Sequence, residues 1–174
     1  VRGVADISEI IDEIDCAIIA TPTLYHFEVA QTLLNAGKHL LIEKPISFEI
    51  AQANKLIAIA ESKQLVLQVG HIERFNPAFC AVANHVSTPL FIDAVRTSNY
   101  SFRSTDIGVT LDLMIHDIDL VLSLVDSPIA AIDAVGSVVI GPHEDIANAR
   151  LTFKNGTFAN LTASRVNSEP QRTM

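Results

Sequence analysis

Tryptophan is absent from these 174 residues, and cysteine and methionine occur only twice each. Two cysteines as far apart as Cys16 and Cys80 make neither a disulfide framework nor a spaced metal motif. Both are therefore expected as buried thiols in a reducing compartment, with the cytoplasm as default. No apolar run reaches the roughly 20 residues that a membrane helix needs, and the start Val1-Arg2-Gly3-Val4 lacks a signal-peptide layout. Positive charge is scarce, with Lys+Arg 12 against Asp+Glu 20 and a net charge of -8. That deficit excludes a nucleic-acid backbone as the main partner, which wants concentrated Lys and Arg. It leaves room for a small anionic ligand held by backbone donors and one or two cations.

Apolar residues make up 49% of the chain, enough for one good-sized core or for parts of two domains. The chain does not begin on Met and enters helix-strand alternation at once, so a longer protein is expected. Residues 6–11 predict a short helix with Asp6 or Ser8 as cap. Asp15-Cys16-Ala17-Ile18-Ile19-Ala20 shows no polar alternation, which predicts a central parallel strand covered on both faces. Helices over residues 25–35 and 48–61 alternate with strands over 39–42 and 64–69; Gly37 stops the first helix and Ser47 caps the second. Ile50, Ala53, Leu56, Ile57 and Ala60 form the expected buried stripe of the second helix. Short joints between such elements make crossover units of a parallel sheet.

After Gly70 the texture changes. Residues 77–82 and 110–125 read as helices, and residues 90–97, 130–139, 146–153 and 157–164 as strands. Residues 99–108 are polar and turn-like. Asn155-Gly156 is a strong hairpin signal. The predicted class is thus α/β: a partial Rossmann-type parallel sheet over 1–70, then an α+β domain over 71–174 with helices on an open, mostly antiparallel sheet.

Candidate chemistry gathers at the joints. Leu40-Leu41-Ile42-Glu43-Lys44-Pro45 delivers a carboxylate and an ammonium at a strand end, where ligands of open α/β sheets collect; a plain polar strand stop is the alternative. Thr21-Pro22-Thr23 with His26 occupies another strand-to-helix joint, where hydroxyls and free N–H groups suit a phosphate or ribose, with Thr23 also able to cap. His71, Glu73, Arg74 and Asn76 crowd the change of texture. Arg74 offers a fork of donors to an anion, or pairs with Glu73 or another acid to fix the joint. Asp112 and His116, four apart, share a helical face with Asp119 near it, while Asp117 points elsewhere. A histidine oriented by a carboxylate suits proton transfer; a simple surface pair is the alternative. Asp112, His116 and His71 together could hold zinc or manganese, but no multi-histidine or multi-cysteine spacing supports a site. No role is assigned to His39, His85 or His143.

Ala20-Thr21-Pro22-Thr23 with His26, the Glu43-Lys44-Pro45 triplet, and Asp112 with His116 stand in an order and separation that resembles the Gfo/Idh/MocA oxidoreductases across nearly the whole chain. Residues 69–77 and 111–119 are most similar to the branch that oxidises C3 of UDP-N-acetylhexosamines. The resemblance implies an NAD- or NADP-dependent dehydrogenase; a polyol or simple-sugar dehydrogenase and a noncatalytic ligand-binding member are the alternatives. It implies that Thr21, Pro22, His26, Glu43 and Lys44 bind the cofactor and that Lys44 contacts the reacting hydroxyl. It further implies that Asp112 orients the substrate, His116 takes the hydroxyl proton, and His71, Arg74 and Asn76 bind the sugar. The second domain would also carry a homo-oligomer contact. One departure stands out: the glycine-rich turn of that family is missing, Gly3 being isolated, so the choice between NAD and NADP has no signal here.

Overall fold

The computed structural model describes residues 2–101 and 106–174. They form two compact units that divide between Gly70 and His71. In the first, strands β1 (Cys16–Ile19), β2 (His39–Ile42) and β3 (Leu67–Val69) pair in parallel in that order, with Cys16 opposite His39 and Leu40 opposite Leu67. Helices α1 (Thr23–Asn35) and α2 (Ile50–Ser62) connect them. Ala30, Leu33 and Leu34 recur at three-four spacing on α1 and meet Ile19, Leu40, Ile42, Leu56 and Ala60 in one core. Each fully buried leucine there contributes about 1.5–3 kcal/mol. The end of α1 is fixed by Lys38 N–H on Leu33 O and Gly37 N–H on Leu34 O, with Gly37 at φ +77, a conformation that any side chain would strain.

The parallel sheet is as expected, but β1 is not covered on both faces. It lies at the edge of this sheet, and only its Ala17 and Ile19 face meets the core, leaving Ile18 71% exposed. Cys16 shares that bare face, so it is an exposed thiol rather than a buried one; Cys80 is exposed too, its Sγ donating to Arg74 O at 3.3 Å. Residues 6–11 do not make one helix. They enter two short 3-10 turns, Ile7–Glu9 and Ile11–Glu13, the first closed by a reciprocal Asp6 and Glu9 cap. On α2 the buried positions are Leu56 and Ala60, while Ile50 and Ile57 face outward, because only one side of the helix meets the sheet. Glu49, not Ser47, is the α2 N-cap; the Ser47 hydroxyl donates to Glu49 O instead.

The second unit holds a five-stranded sheet in the order β5-β6-β7-β4-β8: β4 (Phe91–Thr97), β5 (Ile129–Ser137), β6 (Ile146–Phe153), β7 (Phe158–Ser164) and β8 (Gln171–Thr173). Every pairing is antiparallel except β4 with β7, giving the mixed, mostly antiparallel sheet that the pattern predicts. Asn155-Gly156 turns β6 into β7 with Gly156 at φ +89. A short helix α3 (Pro77–Ala83) is capped by Asn76. The helix expected from residue 110 begins as a π-helical turn over Thr110–Met114 and continues as α4 (Ile115–Leu124). Val109, Met114, Val121 and Val125 pack on the inward face of β4, β6 and β7, through Ile92, Ala94, Leu151, Phe153, Leu161 and others. The polar stretch expected over residues 99–108 lies partly outside the described residues. No helix among them is long and apolar enough to cross a membrane.

Candidate functional site

In the first unit the carboxyl ends of three neighbouring strands bring the predicted residues together. Thr21 and Pro22 follow β1 and are exposed; Glu43 and Lys44 follow β2 and are half-buried; Gly70 follows β3. The ladder runs on into these joints through Glu43 N–H on Ile19 O at 2.9 Å and Gly70 N–H on Ile42 O at 2.7 Å. A Cβ on Gly70 would stand 3.3 Å from Glu43 Oε2, so the absent side chain leaves the carboxylate its seat over the end of β3. The Lys44-Pro45 bond is cis. Pro22 is the N-cap of α1 and provides no side-chain cap, and Thr23 lies inside the helix as its first residue. The N-cap residue of α1 thus offers its first-turn N–H groups no capping side chain, the arrangement that suits an anionic or polar ligand.

His26 does not reach out to a ligand. Its ring is 1% exposed, with Nδ1 2.8 Å from Pro45 O and Nε2 2.8 Å from Thr21 O. Both nitrogens face backbone carbonyl oxygens, to one of which a neutral ring donates, so neither is turned toward a ligand and the cofactor contact expected of this residue has no outward ring atom to make it.

In the second unit Asp112 sits on the π-turn and His116 on α4, both half-buried. The i→i+5 bond from Ile115 N–H to Thr110 O widens the helix between them, so the simple four-residue spacing does not describe their geometry. Such π-turns recur at functional sites. Asp117 points to the sheet and takes a bidentate grip from Arg96, with Nη2 to Oδ1 at 2.7 Å. Arg96 also lies 3.6 Å from Glu73. Burial would raise the Glu73 carboxyl, but Arg96, Asn76, His116 and Arg172 together hold it below its ordinary value. Asp119 is clasped by Arg74, Nε to Oδ2 at 2.7 Å and Nη2 to Oδ1 at 2.6 Å. Of the two readings of Arg74, pairing with an acidic neighbour is the one its fork makes here. Asn76 likewise works locally, accepting from Ala78 N–H and donating to Glu73. His71 is half-buried, and its Nδ1 is out of solvent with no hydrogen-bond partner among the described groups.

A cavity of about 620 Å³ opens beside this network, lined by the apolar Phe79, Phe91 and Leu120 and the charged Glu73, Arg96 and Asp117 among others. Asn76 lines it; Asp112 and His116 do not. Among the described residues no three His, Cys, Asp or Glu side chains cluster in a way that would hold a metal ion.

Residues 1–71 match the family described as "Oxidoreductase family, NAD-binding Rossmann fold", and residues 80–174 match the "GFO/IDH/MocA C-terminal domain". The chain belongs to the Gfo/Idh/MocA oxidoreductase family. Among its curated relatives is the UDP-N-acetylglucosamine 3-dehydrogenase of Acidithiobacillus ferrooxidans, 41% identical over 174 residues, covering 99% of this chain and 56% of that protein. An uncharacterized oxidoreductase of Bacillus subtilis is 28% identical over 168 residues, 88% of this chain and 49% of that protein. The chain thus spans about half the length of these Gfo/Idh/MocA relatives. The solved structure of the Acidithiobacillus enzyme superposes with a TM-score of 0.91, over 98% of this chain and 57% of that one. A protein of gentamicin A biosynthesis solved with NAD gives 0.89 at 20% identity over 98% and 54%, a likeness of fold alone.

Several residues that shape this Gfo/Idh/MocA chain around Asp112 and His116 had no local signature. Glu144 accepts from Thr110 N–H at 3.2 Å and so caps the helix of Asp112 and His116 from 34 residues away. Burial would raise its carboxyl, but the bonds from Thr110 outweigh that and keep it below its ordinary value. A Cβ on Gly108 would collide with the Glu144 carboxylate, so only glycine leaves the cap its place. Asp145, fully buried, accepts at Oδ2 from the N–H groups of Val139, Ile140 and Gly141 and at Oδ1 from Arg165 Nε at 2.7 Å. The Arg165 guanidinium also donates to Ile107 O at 2.8 Å. Only Arg96, a charged residue inside the strand-like run 90–97, carried a signal, and its partner could not be named from sequence; Glu144, Asp145 and Arg165 fall just outside the strands and carried none.

Proposed function

We propose that the full-length protein is an NAD- or NADP-dependent dehydrogenase that takes a hydride from the carbon bearing a sugar-ring hydroxyl, C3 of a UDP-N-acetylhexosamine, while the hydroxyl gives up its proton and the carbon becomes a carbonyl. The observation that carries this reading is the 41% identity to UDP-N-acetylglucosamine 3-dehydrogenase over 174 residues, through both units. Nicotinamide supplies the hydride acceptor. The first unit fits that group by its chemistry: parallel strands ending in Thr21, Pro22, Glu43 and Lys44, beside an α1 N-terminus without a side-chain cap. Residues 1–70 are assigned as part of the nucleotide-binding domain and residues 71–174 as the substrate-binding and oligomerisation domain of a cytoplasmic homo-oligomer.

In this reading Lys44 donates a hydrogen bond to the reacting hydroxyl and to the nicotinamide ribose. Asp112 orients the substrate, and His116 takes the hydroxyl proton, a task suited to imidazole near neutral pH. His71 contacts the sugar, which would give its buried Nδ1 a partner. Arg74 and Asn76 are assigned to the same substrate wall, with Arg74 acting through the part of its side chain that remains exposed.

Full-length protein given UDP-N-acetylglucosamine and either NAD or NADP should form the reduced cofactor, followed by its absorbance. The Lys44→Ala variant should bind cofactor and lose turnover. Full turnover in that variant, or none in the parent with any UDP-N-acetylhexosamine, would end the reading.

A further inference from the structure

His26 stands between the two joints that carry the proposed cofactor residues. Thr21 belongs to the joint between β1 and α1, and Pro45 to the joint between β2 and α2. The ring reaches both through their carbonyl oxygens, at 2.8 Å each, from a position 1% exposed on the first turns of α1; a carbonyl oxygen only accepts, so a neutral ring donates to one of them and makes a close contact with the other, and it donates to both when each nitrogen carries a proton. Few side chains can do this. The imidazole is rigid, it has a nitrogen on each side, and its burial keeps solvent from competing for either one.

We propose that His26 is a positioning residue that staples these two joints together and thereby sets the backbone from which Lys44 projects. The proposal rests on the reading of Lys44 as the group that touches the reacting hydroxyl. Lysine has a flexible four-carbon stem, so its ammonium is placed only as well as its backbone is held. Lys44 immediately precedes Pro45, whose carbonyl is one of the two held by the ring. The other carbonyl ties the same ring to Thr21, so the joints after β1 and β2 are fixed relative to each other by one side chain. A displacement of about 1 Å at a reacting group costs about 100-fold in rate, which makes such a staple matter to chemistry beyond its share of stability.

Three substitutions separate the contacts. His26→Leu removes both; His26→Asn keeps an amide near the Nδ1 position and so the Pro45 contact; His26→Gln keeps one near the Nε2 position and so the Thr21 contact. The full-length variants are compared by kcat and KM with UDP-N-acetylglucosamine. They are also compared by the rate at which trinitrobenzenesulfonate labels Lys44 relative to the exposed Lys154, read by mass spectrometry on protein shown to be folded. In His26→Leu, kcat should fall by about 10- to 100-fold with KM nearly unchanged, and the labelling of Lys44 should shift while that of Lys154 does not. His26→Asn should recover more of both than His26→Gln. Unchanged kcat and unchanged Lys44 labelling in folded His26→Leu would overturn the proposal. If His26→Leu fails to fold, the Asn and Gln variants decide it, since wild-type labelling of Lys44 in both overturns it and altered labelling supports it. A parent protein without turnover defeats the dehydrogenase reading alone, because the labelling comparison still tests the staple.

Discussion

Asp145→Asn is the sharpest test of how the second unit is held. The carboxylate is fully buried and takes four donors, three backbone N–H groups at 2.7–3.1 Å on Oδ2 and the Arg165 guanidinium at 2.7 Å on Oδ1. An asparagine of the same shape keeps one oxygen. If that oxygen faces Val139, Ile140 and Gly141, its NH2 group confronts the Arg165 donor; if it faces Arg165, the NH2 confronts three N–H groups. Either way donors stay buried and unpaired, at about 1–3 kcal/mol each, and a buried cation loses its counter-charge, which costs about 3–5 kcal/mol in all. Urea unfolding of the full-length protein, followed by far-UV circular dichroism, should show a midpoint lower by roughly 1–5 M for a slope of about 1–3 kcal/mol/M. The pH dependence has a definite direction. Burial would raise the Asp145 carboxyl, but the Ile140 bond, the Arg165 bond and those from Val139 and Gly141 outweigh it and hold it well below the usual carboxylate range. A group lowered by folding stabilises above its unfolded value of about 3.9 and loses that stabilisation as pH falls toward its folded value. The parent should therefore weaken steeply below about pH 4, and the variant, already without the charge, should show a shallower acid loss. An Asp145→Asn variant within about 1 kcal/mol of the parent at neutral pH would refute the reasoning.

Two further expectations follow from the same network of caps and pairs. Gly108→Ala should push Glu144 off Thr110 N–H and cost about 1 kcal/mol, the usual loss of a helix cap; in a Glu144→Ala background the same change should be nearly neutral, and equal costs in both backgrounds by urea unfolding would count against the contact. Asp119→Asn should weaken the clasp by Arg74 by roughly 1 kcal/mol, modest because the Arg74 side chain is 48% exposed and screened, and a double-mutant cycle with Arg74→Ala that gave no coupling would show the pair to be idle.

What could be read from sequence divides along the range of the forces involved. The parallel strands, α1 with its Gly37 stop, and the Asn155-Gly156 hairpin were legible because each is fixed by neighbours a few residues away. The position of Lys44 at the end of β2 was legible for the same reason, since an apolar run followed by Glu-Lys-Pro carries its own boundary. Exposure was not: Ile18 and Ile19 are chemically alike, and only the sheet order places one on a bare face and the other in the core. Nor were the partners of the charged side chains. Arg74 reaches Asp119 across 45 positions, Arg96 reaches Asp117 across 21, and Thr110 finds its cap at Glu144 across 34. Nothing next to Asp119, Asp117 or Glu144 in the sequence names those distant partners. Histidine at position 26 shows the consequence most directly. Its place in the Thr-Pro segment marked it as near the residues expected to hold a cofactor, and its ring lies against the Thr21 and Pro45 carbonyls, but ring direction decides between touching a ligand and holding the chain. That direction depends on where Pro45, 19 residues on, puts its carbonyl. A motif therefore locates a site more securely than it assigns work within the site, and the assignment has to come from counting the hydrogen bonds each polar atom already makes.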